Sequence, residues 1–215
     1  MKKDGLVLLG AVVGSIIVMI IIGLGLSIAP NLLAPPVPTP TPGGLVIDNV
    51  HPARDFDLTN QYGKPAHLSD YRGKVVLLFF GYTHCPDVCP LTLSEFKRVR
   101  AKLAETSQAL VDKVAFVFIT VDGERDTPDV MLNYVNAFDP SFVGLTGASD
   151  RVANIGLDYG VKFEKQKPTG TQASYLVAHT SFTYLIDPQG NWRMAYPFQT
   201  PTDTVAGDVA RFAAK

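Results

Sequence analysis

The reactive chemistry of this 215-residue chain is concentrated in two cysteines and whichever side chain joins them. Cys85 and Cys89 stand in Gly81-Tyr82-Thr83-His84-Cys85-Pro86-Asp87-Val88-Cys89-Pro90 and are the chain's two cysteines. An i, i+4 spacing predicts neighbours one turn apart on one helical face, so both sulfurs can address one ion. A helix N-terminus there would favour the thiolate that metals and disulfides both require. Soft thiolates with an imidazole suit copper: three ligands for Cu(I), or the same three with a water or carboxylate for Cu(II).

Other chemistries compete for the same pair. A structural disulfide would gain little stability from closing so short a loop. A structural zinc site wants four protein ligands, and only three can be named. A thiol–disulfide reductase, with Cys85 and Cys89 as catalytic residues, fits the dithiol, although such enzymes typically place two residues between the cysteines rather than three. A peroxidase would need Thr three residues before the reactive cysteine. Tyr82 occupies that position, and Thr83 is one out of register.

Four histidines are available as the nitrogen donor. His51 and His67 sit among polar residues in early loops and read as solvent-facing. His84 adjoins Cys85 and is expected to point away from the face shared with Cys89, in a turn or supporting role. His179 precedes an apolar strand. In a thioredoxin-like fold that position abuts the helix N-terminus, where a dithiol reductase carries a cis-proline. Ala178-His179-Thr180 replaces it, so His179 is the residue best placed to complete the site.

The elements that must position these groups alternate. Lys74–Phe80 is a continuous apolar run rich in strand formers, as expected of a strand buried on both faces. Leu91, Phe96, Val99 and Leu103 recur at helical spacing, and Val114–Val121 is a second buried strand. Asp126-Thr127-Pro128 opens a helix, and Asp126 has a competing role near its cap beside a supporting or docking role shared with Asp122. Ser149 is expected to cap a short helix that Gly160 ends. Thr180–Ile186, a turn at Asp187–Asn191 and Trp192–Tyr196 read as a hairpin, with a last helix from Thr200-Pro201. Phe79, Phe80, Phe116, Phe118 and Trp192 read as core. Lys162–Val177 reads as a mobile excursion before His179. This order predicts an α/β, thioredoxin-like fold, a central mixed sheet with helices on both faces.

Ahead of this domain, residues 6–29 are Leu, Val, Ile, Gly and Ala with few interruptions, long enough to cross a bilayer. Lys2 and Lys3 place residues 1–5 in the cytoplasm. A cleaved signal peptide is the alternative, since Ser27-Ile28-Ala29 is a small-x-small triplet, but the apolar run exceeds the usual length of about 7–15 residues. Residues 30–47 are a Pro-rich spacer, with six prolines between Pro30 and Pro42. Residues 48–215 are then exported, in a bacterial envelope because no Arg/Ser-rich transit segment precedes the span. Lys and Arg number 19 against 20 Asp and Glu, without a basic cluster, which gives no support for nucleic-acid binding.

The motif from Gly81 to Pro90, then Val121-Asp122-Gly123-Glu124-Arg125-Asp126-Thr127-Pro128, then His179 ahead of a strand, resembles the Sco/SenC family over roughly residues 50–210. The resemblance implies a membrane-anchored thioredoxin-fold metallochaperone. It would bind one copper through Cys85, Cys89 and His179, as Cu(I) or Cu(II). It would assist assembly of the dinuclear copper site of cytochrome c oxidase, by handing over copper or by reducing its cysteines. The implied partners are the copper-bearing oxidase subunit and a copper donor protein. Two positions depart from the family pattern: Ala178 stands where Asp usually precedes the histidine, and Gly123 replaces a Pro.

Overall fold

A computed structural model describes residues 44–166 and 176–214, without the side chains of Asp48, Asn49, Gln166, Ala178 and His179. The expected anchor, most of the Pro-rich spacer and the middle of the expected excursion (residues 167–175) lie outside the described residues. Among the described residues no helix is long and apolar enough to cross a membrane.

The strands are β1 (Leu45–Pro52), β2 (Asp57–Asn60), β3 (Pro65–His67), β4 (Val75–Gly81), β5 (Val114–Thr120), β6 (Val143–Thr146), β7 (Phe163–Gln166), β8 (Leu176–His179), β9 (Phe182–Ile186) and β10 (Asn191–Pro197). The helices are α1 (Val88–Thr106), α2 (Gln108–Asp112), α3 (Pro128–Asn136), α4 (Ser149–Asp158) and α5 (Thr202–Ala213). Eight strands form one mixed sheet in the order β1-β10-β9-β4-β5-β6-β2-β3, and β7 and β8 pair separately. β4, β5 and β6 are parallel, joined by crossovers through α1 and α3, whereas β9 and β10 return antiparallel.

β4 and β5 are buried along their whole lengths, as continuous apolar strands covered on both faces must be. Alternation sends neighbouring aromatics to opposite faces. Phe79 stacks on Phe118 at 6.0 Å, on the side where α1 sends Phe96 against Phe116 and α3 sends Tyr134 against Phe118. Phe80 faces the other way, into Tyr159 and Tyr184. Each such ring contributes about 1.5–3 kcal/mol by leaving water. α1 buries Cys89, Leu93, Phe96, Val99 and Leu103, a stripe at helical spacing.

At Asp126-Thr127-Pro128 the expected helix start holds: the Thr127 hydroxyl accepts from the Val130 N–H, with Pro128 at the first helical position. Several other local expectations are corrected by tertiary contacts. Ser149 lies inside α4 after Ala148, and its buried hydroxyl has no partner among the described residues. Trp192 is half-buried. His67 is also half-buried, its Nδ1 3.1 Å from the Phe56 carbonyl. The stretch read as an excursion is a hairpin at its described ends, where Phe163 pairs with His179 and Gln166 with Leu176. Gly160 ends α4 as expected, with φ +67°.

Candidate metal and dithiol site

The site sits where β4 delivers the chain to α1, at the carboxyl end of a central parallel strand, the edge at which open α/β sheets bind ligands. Cys85 is not on the helix. It stands in the preceding loop, its N–H donating to the Tyr82 carbonyl, whereas Cys89 lies in the first turn of α1. The two still meet, because the Cys89 N–H donates to the Cys85 sulfur at 3.4 Å. No side chain caps α1, so Cys85 satisfies an N–H that a capping residue would otherwise take. Pro90 lies in that first turn, where a missing N–H leaves nothing unpaired.

Cys89 is fully buried and Cys85 half-buried. A hydrogen bond to the Cys85 sulfur, then burial, hold the proton on Cys89 and raise its pKa far above the ordinary thiol range, against the pull of the Tyr82 N–H. A Cβ on Gly81 would come within 2.8 Å of the Cys89 sulfur and 2.7 Å of the Phe118 ring, so the packing of Cys89 against β4 requires glycine there.

A buried carboxylate fixes the loop from behind. Asp126 is fully buried and accepts from the Thr83 N–H at 2.9 Å, from the Thr83 hydroxyl and from the Thr120 hydroxyl. His84 Nδ1 lies 3.0 Å from the Thr83 hydroxyl and 3.7 Å from Asp126. His84 thus lies against the Thr83–Asp126 pair, in the loop beside Cys85. Asp122, also buried, pairs with Arg125, whose guanidinium lies 5.9 Å from the centre of the Tyr82 ring. Burial excludes both aspartates from a docking surface.

The histidine side of the site arrives on β8. Its described ties include the Thr180 N–H donating to the Lys162 carbonyl, the Lys162 N–H donating to the Thr180 hydroxyl, and the Lys165–Glu124 ion pair at 2.7 Å; buried Val177 packs into the core, and its N–H faces the Tyr82 phenol. Burial raises the pKa of that phenol; the Val177 N–H opposes the rise and the two sulfurs add to it. The backbone of His179 is placed at the end of β8, and its side chain is outside the described residues. Among the described residues no three His, Cys, Asp or Glu side chains form a metal cluster. The described donor set is thus two sulfurs, one half-exposed and one buried, on a strand end to which β8 is tied through Tyr82.

The sequence reading missed Gly81, Thr120 and the Tyr82 phenol as parts of this arrangement. Gly81 alone left a signal, as a glycine ending a run of strand formers immediately ahead of the cysteine motif.

Known proteins share this arrangement of sequence and fold. Protein SCO2 of Saccharomyces cerevisiae mitochondria is 39% identical over 137 residues, 64% of this chain. The match spans 44% of that relative, less than half its length. Bradyrhizobium japonicum ScoI, solved with copper bound, is 38% identical with a TM-score of 0.66, covering 75% of this chain and 99% of that one. BsSco, a member of the Sco family of cytochrome c oxidase assembly proteins in which a disulfide switch was identified, is 26% identical with a TM-score of 0.61 over 79% of this chain and 98% of its own. Residues 47–214, from the edge strand β1 to the end of α5 and with both cysteines inside, match the SCO1/SenC family model, and the chain belongs to that family.

Proposed function

We propose that the chain is a copper metallochaperone that binds one copper ion, as Cu(I) or Cu(II), through Cys85, Cys89 and His179. Its role is assembly of the dinuclear copper site of cytochrome c oxidase. The observation that carries this reading is the contact between the Cys89 N–H and the Cys85 sulfur, which holds two soft donors together at one helix start. Two thiolates and an imidazole are the ligand set that copper prefers over harder divalent ions. Bound copper would supply cargo for transfer. The chain's own residues supply sulfur donors, a buried wall behind them and a strand carrying the third ligand. The copper-bearing subunit of the oxidase is the recipient, and a copper donor protein is a second partner. Residues 6–29 anchor the domain in a bacterial membrane, N-terminus in the cytoplasm and residues 48–215 on the outer side.

Copper titration of the reduced protein tests the site. One copper per chain is expected, with a thiolate-to-Cu(II) charge-transfer band that His179→Ala weakens and Cys85→Ser or Cys89→Ser abolishes. Stoichiometric copper retained by all three variants would overturn the ligand assignment.

A second reading, thiol–disulfide reduction of oxidase cysteines by Cys85 and Cys89, is favoured by the same sulfur contact and by the disulfide switch identified in BsSco. A dithiol that exchanges with no disulfide substrate at envelope redox potentials would remove it.

A further inference from the structure

We propose that His84 is a copper-capture ligand, preset by a hydrogen-bonded chain that begins at buried Asp126. The proposal rests on the copper reading of the dithiol and adds a route by which the ion reaches it.

The argument is one of proton bookkeeping. The Thr83 hydroxyl carries a single proton and donates it to Asp126. The 3.0 Å contact between that oxygen and His84 Nδ1 can then be made only if Nδ1 is the donor. A neutral imidazole protonated at Nδ1 presents an unprotonated Nε2, the form in which histidine binds a metal. Metal-binding histidines commonly give their other N–H to a carboxylate, which sets tautomer and ring orientation. Here the carboxylate acts through one hydroxyl. Asp126 cannot swing away, because the Thr83 N–H and the Thr120 hydroxyl bind it too.

The side chain of His84 is 55% exposed, while Cys89 is fully buried and Cys85 half-buried. An ion arriving from solvent thus meets an oriented, half-exposed imidazole on the residue next to the more accessible sulfur. His84 does not close a cluster with both cysteines in this arrangement. Its place is therefore before the resident site. Copper(I) binds Nε2, the Nε2–Cu bond breaks as the Cys85 and Cys89 sulfurs bind, and the thiol protons leave to solvent. The metal keeps its oxidation state throughout.

Two measurements on the full-length chain test this. Nitrogen-15 NMR of the metal-free wild type should show His84 protonated at Nδ1, a preference that Thr83→Val abolishes and Thr83→Ser retains. Stopped-flow loading from a Cu(I)–bicinchoninate buffer should be about 10-fold slower in His84→Ala, with equilibrium affinity unchanged. An Nε2-protonated His84 in the wild type overturns the proposal. So does His84→Ala loading at the wild-type rate, or losing equilibrium affinity, which would make His84 a resident ligand. A wild type that takes up no copper overturns the dithiol reading as well, whereas stoichiometric uptake with an unchanged rate overturns the capture role alone.

Discussion

The cysteine loop and the β7–β8 hairpin supply the two halves of the proposed site and are held by different means. The loop is fixed from beneath: Gly81 admits the Cys89 sulfur against β4, Asp126 grips Thr83, and the start of α1 binds Cys85 through the Cys89 N–H. Among the described residues the hairpin pairs with no strand of the main sheet; its ties include the two Lys162–Thr180 hydrogen bonds, the Lys165–Glu124 ion pair, the Val177–Tyr82 contact and the burial of Val177 in the core. A site that must take up an ion and give it away benefits from one half whose geometry is set before binding and another carried on a separate hairpin. In the loop, stability and ligand geometry are therefore coupled, because the groups that position the sulfurs are buried. In the hairpin the Lys165–Glu124 pair is exposed, so there the two are expected to be separable.

Breaking the loop should show that coupling most strongly. Asp126→Ala strands the Thr83 N–H and the buried Thr120 hydroxyl, and each unsatisfied buried donor costs about 1–3 kcal/mol. A loss of about 3 kcal/mol in urea unfolding is expected, accompanied by weakened copper binding. Gly81→Ala forces a methyl into the Cys89 sulfur and the Phe79 and Phe118 rings, overpacking that typically costs about 1–3 kcal/mol. Unfolding midpoint and copper stoichiometry should fall together in that variant. Full binding with lost stability would show the two to be separable in the loop as well.

The cysteines themselves should titrate unequally. Because Cys89 is buried and its thiol pKa is raised, Cys85 should be alkylated first in the reduced protein, and Cys89 should stay slow through pH 9. The sign follows from linkage. Ionising a thiol whose folded pKa is raised opposes folding, so reduced-state stability is kept below the ordinary thiol pKa and declines as pH climbs above it. Mass spectrometry of iodoacetamide adducts and urea unfolding from pH 7 to 10 check both parts. Equal alkylation rates would mean that Cys89 is as open as its neighbour.

The smallest effect belongs to the hairpin. Lys165 and Glu124 are 40% and 65% exposed, so Lys165→Ala should cost no more than about 0.5 kcal/mol, less still in high salt. If the hairpin positions the third ligand independently of stability, this variant should alter the copper charge-transfer band more visibly than the unfolding midpoint. The opposite pattern would place the hairpin on the same footing as the loop.

The sequence alone determined the α/β plan, the two buried strands, the cysteine pair at the start of α1 and the family resemblance. The elements follow from periodicity and apolar runs, which are local properties of the chain, whereas the resemblance rests on matching motifs. It left Asp126 between a role near the helix cap and a supporting or docking role, because a carboxylate before Thr-Pro fits either. Only the fold brings Thr83, 43 residues earlier in sequence, onto that carboxylate and leaves capping to Thr127. It placed both cysteines on one helical turn, and tertiary packing moved Cys85 into the loop while keeping the sulfur in contact with α1. Trp192 read as core from its type; near the β1 edge of the sheet it is half-buried, packed against the core through Tyr159 and Tyr184. The identity of the donors was thus written in the chain, whereas which groups hold them, and how rigidly, depended on contacts between segments far apart in sequence.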